Sequence, residues 1–211
     1  MGTAVKSLLL IGPTGAGKTP LGDLIEKRGV HGRRCLHFDF GHQLRMAAGM
    51  EGPPEEFTRE EHSFIRGVLL QGLLLENEHF LIAEKILHRF LRVNDFGPED
   101  ILLLNGLPRH TDQARDVDRI AEVKGLVILE CTPEDVHGRI LSNAGRDRTG
   151  RKDDGIGMIR KKLAIYRDRT TPLVEHYSNA GSKVARIRVT ASSTAEELYS
   201  AFIPLSGNFL A

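Results

Sequence analysis

The stretch Val5-Lys6-Ser7-Leu8-Leu9-Leu10-Ile11-Gly12-Pro13-Thr14-Gly15-Ala16-Gly17-Lys18-Thr19 decides the reading of this 211-residue chain. An apolar run ends in G-x-x-x-x-G-K-T and passes into Leu21-Gly22-Asp23-Leu24-Ile25, so the order is strand, phosphate-binding loop, helix. Glycines at that spacing let the backbone curl until successive N–H groups and the next helix N-terminus converge on one anion. Gly12, Thr14, Gly15, Ala16, Gly17, Lys18 and Thr19 are therefore expected to hold a nucleoside triphosphate. Lys18 would reach its β- and γ-phosphates and Thr19 would hold Mg²⁺. Pro20 suits a first helical turn, where a missing N–H is no loss. The rival reading is a glycine-rich turn that binds nothing, and the full motif between strand and helix weighs against it.

Outward from the loop, strands and helices alternate. Strands are expected at residues 34–38, at Ile101-Leu102-Leu103-Leu104, at Leu126-Val127-Ile128-Leu129 and at residues 183–189. The two central runs are continuously apolar, as in a parallel sheet covered on both faces. The first helix should span residues 21–27 and stop at Gly29, and Thr111 should cap the helix after the third strand. Thr132-Pro133-Glu134-Asp135 is a helix start, with a cap, a proline and acids in the first turn. Helical spacing of Phe64, Val68 and Leu69, and of Phe80, Ile86, Leu87 and Phe90, marks an all-helical insertion before the third strand. One long amphipathic helix is expected to carry Ile159, Leu163, Tyr166 and Leu173, and a last one residues 193–202. The fold class is thus α/β, a five-stranded parallel sheet with helices on both faces.

Composition bounds the partners. The chain is 40% hydrophobic and 27% charged, and its 29 basic and 28 acidic residues leave a net charge of +1, with no polyelectrolyte character to suggest nucleic acid or a membrane surface. Cys35 and Cys131 have no metal-site spacing and read as small core residues. No charged leader or long apolar span precedes the first strand, so a cytoplasmic protein is expected.

In an open α/β sheet the residues just after each strand face the ligand. Here they are Asp39, Gly41 and Arg45, then Asn105, Pro108 and Arg109, with Arg146, Arg148 and Arg151 in a later polar segment. Arginines converging on a triphosphate suit phosphoryl transfer, where charge spreads over equatorial oxygens and positioning does most of the catalysis.

These residues carry a resemblance. The phosphate loop, then His37-Phe38-Asp39-Phe40-Gly41-His42-Gln43-Leu44-Arg45, then Asn105-Gly106-Leu107-Pro108-Arg109 with Gln113, then Gly150-Arg151-Lys152-Asp153-Asp154 before Ile159-Arg160-Lys161-Lys162-Leu163, resembles the nucleoside monophosphate kinases over nearly the whole chain. The resemblance implies a core of residues 1–38, 94–142 and 153–211, a helical monophosphate-binding insertion of residues 39–93, and a short lid, residues 143–152, without metal ligands. It implies that Arg45 and Arg109 grip the acceptor phosphate beside Gly106, that Gln113 touches the acceptor base, and that Arg139 stacks on the donor adenine. Arg151 would close with the lid on the transferring group; Arg146 and Arg148 would join it or remain solvated surface charge.

The chain also departs from the family pattern. Phe40-Gly41-His42 stands for Thr-Gly-Asp, so that Phe40 either stacks on a base or narrows the pocket. Asn105 replaces an aspartate that helps organise Mg²⁺-bound water, while Asn143 and Lys162 replace arginines. Asp39 and Asn105 are expected to serve Mg²⁺ through water, with helix capping as the rival role of Asp39. The implied activity is transfer of the γ-phosphoryl of Mg·ATP to a nucleoside monophosphate by a monomer. The rivals are a kinase of another small acceptor and a non-catalytic ATP-binding switch.

Overall fold

Alternation along β1 (Val5–Ile11) builds the centre of the protein: Leu9 and Ile11 face one layer, Leu8 and Leu10 the other, each at most 2% exposed. The computed structural model describes residues 4–49, 56–71, 75–143, 145 and 156–209. Around β1 lie β2 (Cys35–Asp39), β3 (Ile101–Asn105), β4 (Ala121–Glu130) and β5 (Lys183–Arg188), all parallel, in the order β2-β3-β1-β4-β5. This is the expected five-stranded sheet.

One face is covered by α1 (Lys18–Arg28) and α9 (Ala195–Leu205) through Leu21, Ile25, Leu198 and Phe202. The other takes α2 (Phe40–Ala47), α3 (Arg59–Gln71), α4 (Phe80–Val93), α5 (Thr111–Val117) and α8 (Leu173–Asn179). The described chain between β2 and β3 is helical, as the spacing of its apolar residues predicts. A smaller core of Val136, Ile140 and Ile159 joins α6 (Pro133–Ser142) to α7 (Ile156–Ile165).

Local chemistry sets the ends. Gly29 (φ 74°) stops α1, its N–H bonded to the Ile25 carbonyl, and Thr132 with Asp135 forms a capping box before α6. Three expectations are corrected. The N-cap of α5 is His110 rather than Thr111. β4 is longer than its apolar run because Ala121 to Val123 also pair with β1, across an irregularity at Ser7/Leu8. The long amphipathic helix is divided into α7, a π-helical turn at Tyr166–Thr170 and α8. There the Thr171 N–H reaches back five residues to the Tyr166 carbonyl at 2.9 Å, and Pro172 has no N–H with which to continue the ladder.

Both cysteines are free, and burial pushes the Cys35 thiol up to about 12. Among the described residues no helix is long and apolar enough to cross a membrane. Gly125 of β4 makes room for the ring of Phe209: a Cβ there would lie 2.4 Å from Phe209 Cδ2. Gly125→Ala is expected to destabilise the protein by about 1–3 kcal/mol through overpacking. A thermal melt checks it; an unchanged midpoint would contradict this packing of Phe209.

Candidate active site

Strand register brings the first polar groups together. Asp39 and Asn105 end β2 and β3 and are paired neighbours, while Leu10, just before the phosphate loop, pairs with Asn105 from the other side. All three strands thus deliver their following residues to one cleft of about 230 Å³. It is lined by Gly12, Thr14, Gly15, Gly17, Lys18 and Thr19 of the loop, by Asp39, Arg45, Asn105, Gly106 and Arg109, and by Lys162, Tyr166 and Thr170.

The loop needs its glycines. Gly15 has φ 80°, and a Cβ on it would lie 2.8 Å from Ile140 Cγ1. Gly17, at φ 94°, is the N-cap of α1 and supplies no side-chain bond to the first turn, whose N–H groups are left for an anion. Lys18 Nζ donates to the carbonyls of Gly12 (2.6 Å) and Pro13 (2.9 Å), so its ammonium lies over the loop. Ala16 is fully buried and does not line the cleft; its N–H donates to the Pro13 carbonyl and closes the turn.

Beside the loop, the Thr19 hydroxyl donates to Asp39 Oδ2 at 2.6 Å, and Asn105 Nδ2 donates to the same oxygen at 3.2 Å and lies 3.3 Å from Thr19 Oγ1. Asp39 Oδ1 caps α2 by accepting the His42 N–H at 3.0 Å. Helix capping, one of the two roles weighed for Asp39, therefore uses Oδ1 and leaves Oδ2 to Thr19 and Asn105. Burial alone would raise the Asp39 pKa, but the bonds from Thr19 and His42, with His37 and Arg45 nearby, outweigh it and hold the carboxyl below its ordinary value. With a depressed folded-state value, its contribution to stability is full above the unfolded value of about 3.9 and is lost as pH falls through the folded one.

Arg45 and Arg109 face this cleft from α2 and from the turn after β3. Arg45 has no hydrogen-bond or ion-pair partner among the described residues, and Arg109 Nε donates to the Gly106 carbonyl at 2.8 Å. Burial draws the Arg109 pKa down while Asp39 opposes the shift. A guanidinium so placed keeps its charge at neutral pH.

Three expected contacts are corrected. The Phe40 ring is 2% exposed and packs in the core 6.0 Å from Phe38, so it does not stack on a base. Gln113 is 1% exposed; its oxygen accepts the Arg109 N–H and its nitrogen donates to the Leu75 carbonyl, which spends the amide on joining the insertion to the Arg109 turn. Arg139 is 3% exposed and donates to the carbonyls of Gly15, Thr190 and Ser193, bracing the loop instead of offering an open face to adenine. Asn143 is the left-handed C-cap of α6, a common place for asparagine. Arg146, Arg148 and Arg151, with most of the expected lid, lie outside the described residues.

Sequence reasoning missed His37 and Asp23, which continue the polar network behind Asn105, and Tyr166 and Thr170 on the cleft wall. The signal for the latter pair was the Thr-Thr-Pro that interrupts the helix; for His37 it was a polar residue inside an apolar strand.

No family model matches the chain. It is 32% identical over 196 residues to an adenylate kinase of Corynebacterium aurimucosum, covering 90% of this chain and 93% of that protein. It is 29% identical to a uridylate kinase of Saccharomyces cerevisiae, covering 92% and 87%. In solved structures the fold recurs in a sugar kinase from a Janibacter species at TM-score 0.56 and 12% identity, covering 97% of this chain and 95% of that one. With an identity of 32% spread over nine-tenths of both chains, around a complete phosphate loop, the chain belongs to the nucleoside monophosphate kinases and is a phosphotransferase.

Proposed function

We propose that the chain transfers the γ-phosphoryl group of Mg·ATP to a nucleoside monophosphate and releases two diphosphates. The observation that carries this reading is that the phosphate loop, Arg45 and Arg109 line one cleft, so a triphosphate and a second phosphate have cationic partners in the same space. The loop N–H groups and Lys18 hold the donor phosphates, Arg45 and Arg109 the acceptor phosphate against Gly106. The acceptor is already an anion, so no general base is required; the residues align two phosphates and neutralise charge as it develops. The helical insertion carries Arg45 toward the acceptor, and the lid brings Arg146, Arg148 or Arg151 over the transferring group. The proposed action is that of a monomer in the cytoplasm, where ATP is available.

Thr19 Oγ1 and Asp39 Oδ2 are hard oxygen donors that fit magnesium, and Asn105, whose Nδ2 faces both of them, has its carboxamide oxygen left to accept from a bound water. Thr19 would hold the ion directly and Asp39 and Asn105 through water. Held there, the metal would supply positive charge to offset that of the donor phosphates.

Asp39→Asn keeps a capping oxygen but turns an NH₂ toward the donors of Thr19 and Asn105. It is expected to lower turnover and raise the magnesium requirement by about tenfold, with little change in melting temperature. An unchanged magnesium titration would remove Asp39 from the metal's surroundings. The function itself is tested by coupled ADP release over AMP, UMP, CMP and GMP. Turnover with at least one supports the reading, and ATP binding without turnover, or turnover only with hydroxyl acceptors, contradicts it.

A further inference from the structure

Asn105 is the last member of a relay that begins at the protein surface. Asp23, exposed on α1, places Oδ1 2.8 Å from His37 Nδ1. On the far side of the buried ring, His37 Nε2 lies 3.2 Å from Asn105 Nδ2. The ring is wedged against α1 at Gly22, where a Cβ would come within 2.3 Å of Nε2, so only glycine leaves it room. The neighbouring turn of α1 also holds the strand: Glu26 Oε1 accepts the His37 main-chain N–H at 2.9 Å.

The hydrogens of this relay have one consistent arrangement. Asp39 Oδ2 already accepts the Thr19 hydroxyl and lies 3.2 Å from the Asn105 amide. A carboxylate only accepts, so the amide nitrogen, not its oxygen, must face Asp39. With the nitrogen on that side, the same NH₂ group donates to His37 Nε2, which must be unprotonated. The ring proton then sits on Nδ1 and is donated to Asp23, which fixes the tautomer. Two acceptors, Asp39 and His37, thus hold the NH₂ end of the carboxamide. Its oxygen accepts no hydrogen bond among the described residues, and Asn105 lines the cleft.

We propose that His37, held by Asp23, is a positioning residue that keeps the Asn105 carboxamide oxygen turned into the cleft, where it accepts from a magnesium-bound water. The inference rests on the magnesium reading above. It accounts for an amide at this place: beside Asp39, a second carboxylate would set two negative oxygens face to face, whereas an amide gives one end to Asp39 and the other to the cleft. Without His37, one of the two bonds that resist rotation of the amide is lost, and its NH₂ and oxygen ends can exchange.

Three measurements test this. Imidazole ¹⁵N NMR of the wild-type protein at neutral pH should show His37 as the neutral Nδ1–H tautomer; a predominant Nε2–H form overturns the relay. His37→Phe fills the same space against Gly22 without an acceptor. Its ATP complex is expected to bind Mn²⁺, the spectroscopic probe for magnesium, about tenfold more weakly than wild type, while calorimetric affinity for metal-free ATP is unchanged. A variant that binds Mn²⁺ like wild type, even with a lowered melting temperature, shows His37 to be packing only and overturns the proposal. Asp23→Ala, on the surface, removes the acceptor of the His37 Nδ1–H and covers the case in which His37→Phe does not fold: it should weaken Mn²⁺ in the same direction and add nothing to His37→Phe where both are present, and full Mn²⁺ affinity in it contradicts the relay. Failure of the wild-type enzyme to use any monophosphate would remove the acceptor reading but leave these readouts intact, since none involves an acceptor.

Discussion

Lys18→Ala is expected to lower phosphoryl transfer by about 10²–10³-fold, because its ammonium meets charge that develops between the β- and γ-phosphates in a cleft where a fixed donor costs little reorganisation. The position is favourable for such a role. Lys18 Nζ rests on the carbonyls of Gly12 and Pro13, within reach of whatever the loop holds, and its residue is only half-buried. The loop's shape depends on Gly15, Gly17 and the Ala16–Pro13 bond instead, so the melting temperature should scarcely change. Single-turnover kinetics with saturating ATP measures the effect; a rate near wild type would remove the loop from the chemistry.

Arg109→Ala is expected to raise the KM for the acceptor by about 10- to 100-fold, the value of one charge-assisted bond, with ATP affinity nearly unchanged. The main-chain bonds of this turn, the Arg109 N–H to Gln113 and the Thr170 hydroxyl to the Arg109 carbonyl, survive the substitution. The loss is therefore that of the guanidinium alone. Arg109→Lys should recover part of it, since an ammonium keeps the charge without the planar fork. Calorimetry with ATP provides the control: an equal loss of ATP affinity would place Arg109 on the donor.

The parts legible in the sequence are those set by local pattern. The phosphate loop, the buried strands and the capping box at Thr132 each follow from a few adjacent residues, and all recur in the structure. Strand order converts the sequence positions of Asp39, Asn105, Arg45 and Arg109 into one cleft, because parallel strands release their following residues at the same edge. What sequence reasoning misplaced depends on side-chain direction. Phe40 and Gln113 sit where the resemblance puts acceptor contacts, yet the first turns into the core toward Phe38 and the second is consumed by two main-chain groups. Arg139 is likewise drawn under the loop by three carbonyls contributed from distant segments. The His37 relay joins α1, β2 and β3, and no local pattern announces a contact between residues 68 apart.

The account stands on the fate of the γ-phosphoryl group, which ³¹P NMR follows directly in a mixture of enzyme, Mg·ATP and each nucleoside monophosphate in turn. With at least one of them, the monophosphate resonance should fall as two nucleoside diphosphates appear in equal amounts. ATP that persists beside every monophosphate, or that yields only inorganic phosphate, would contradict the account.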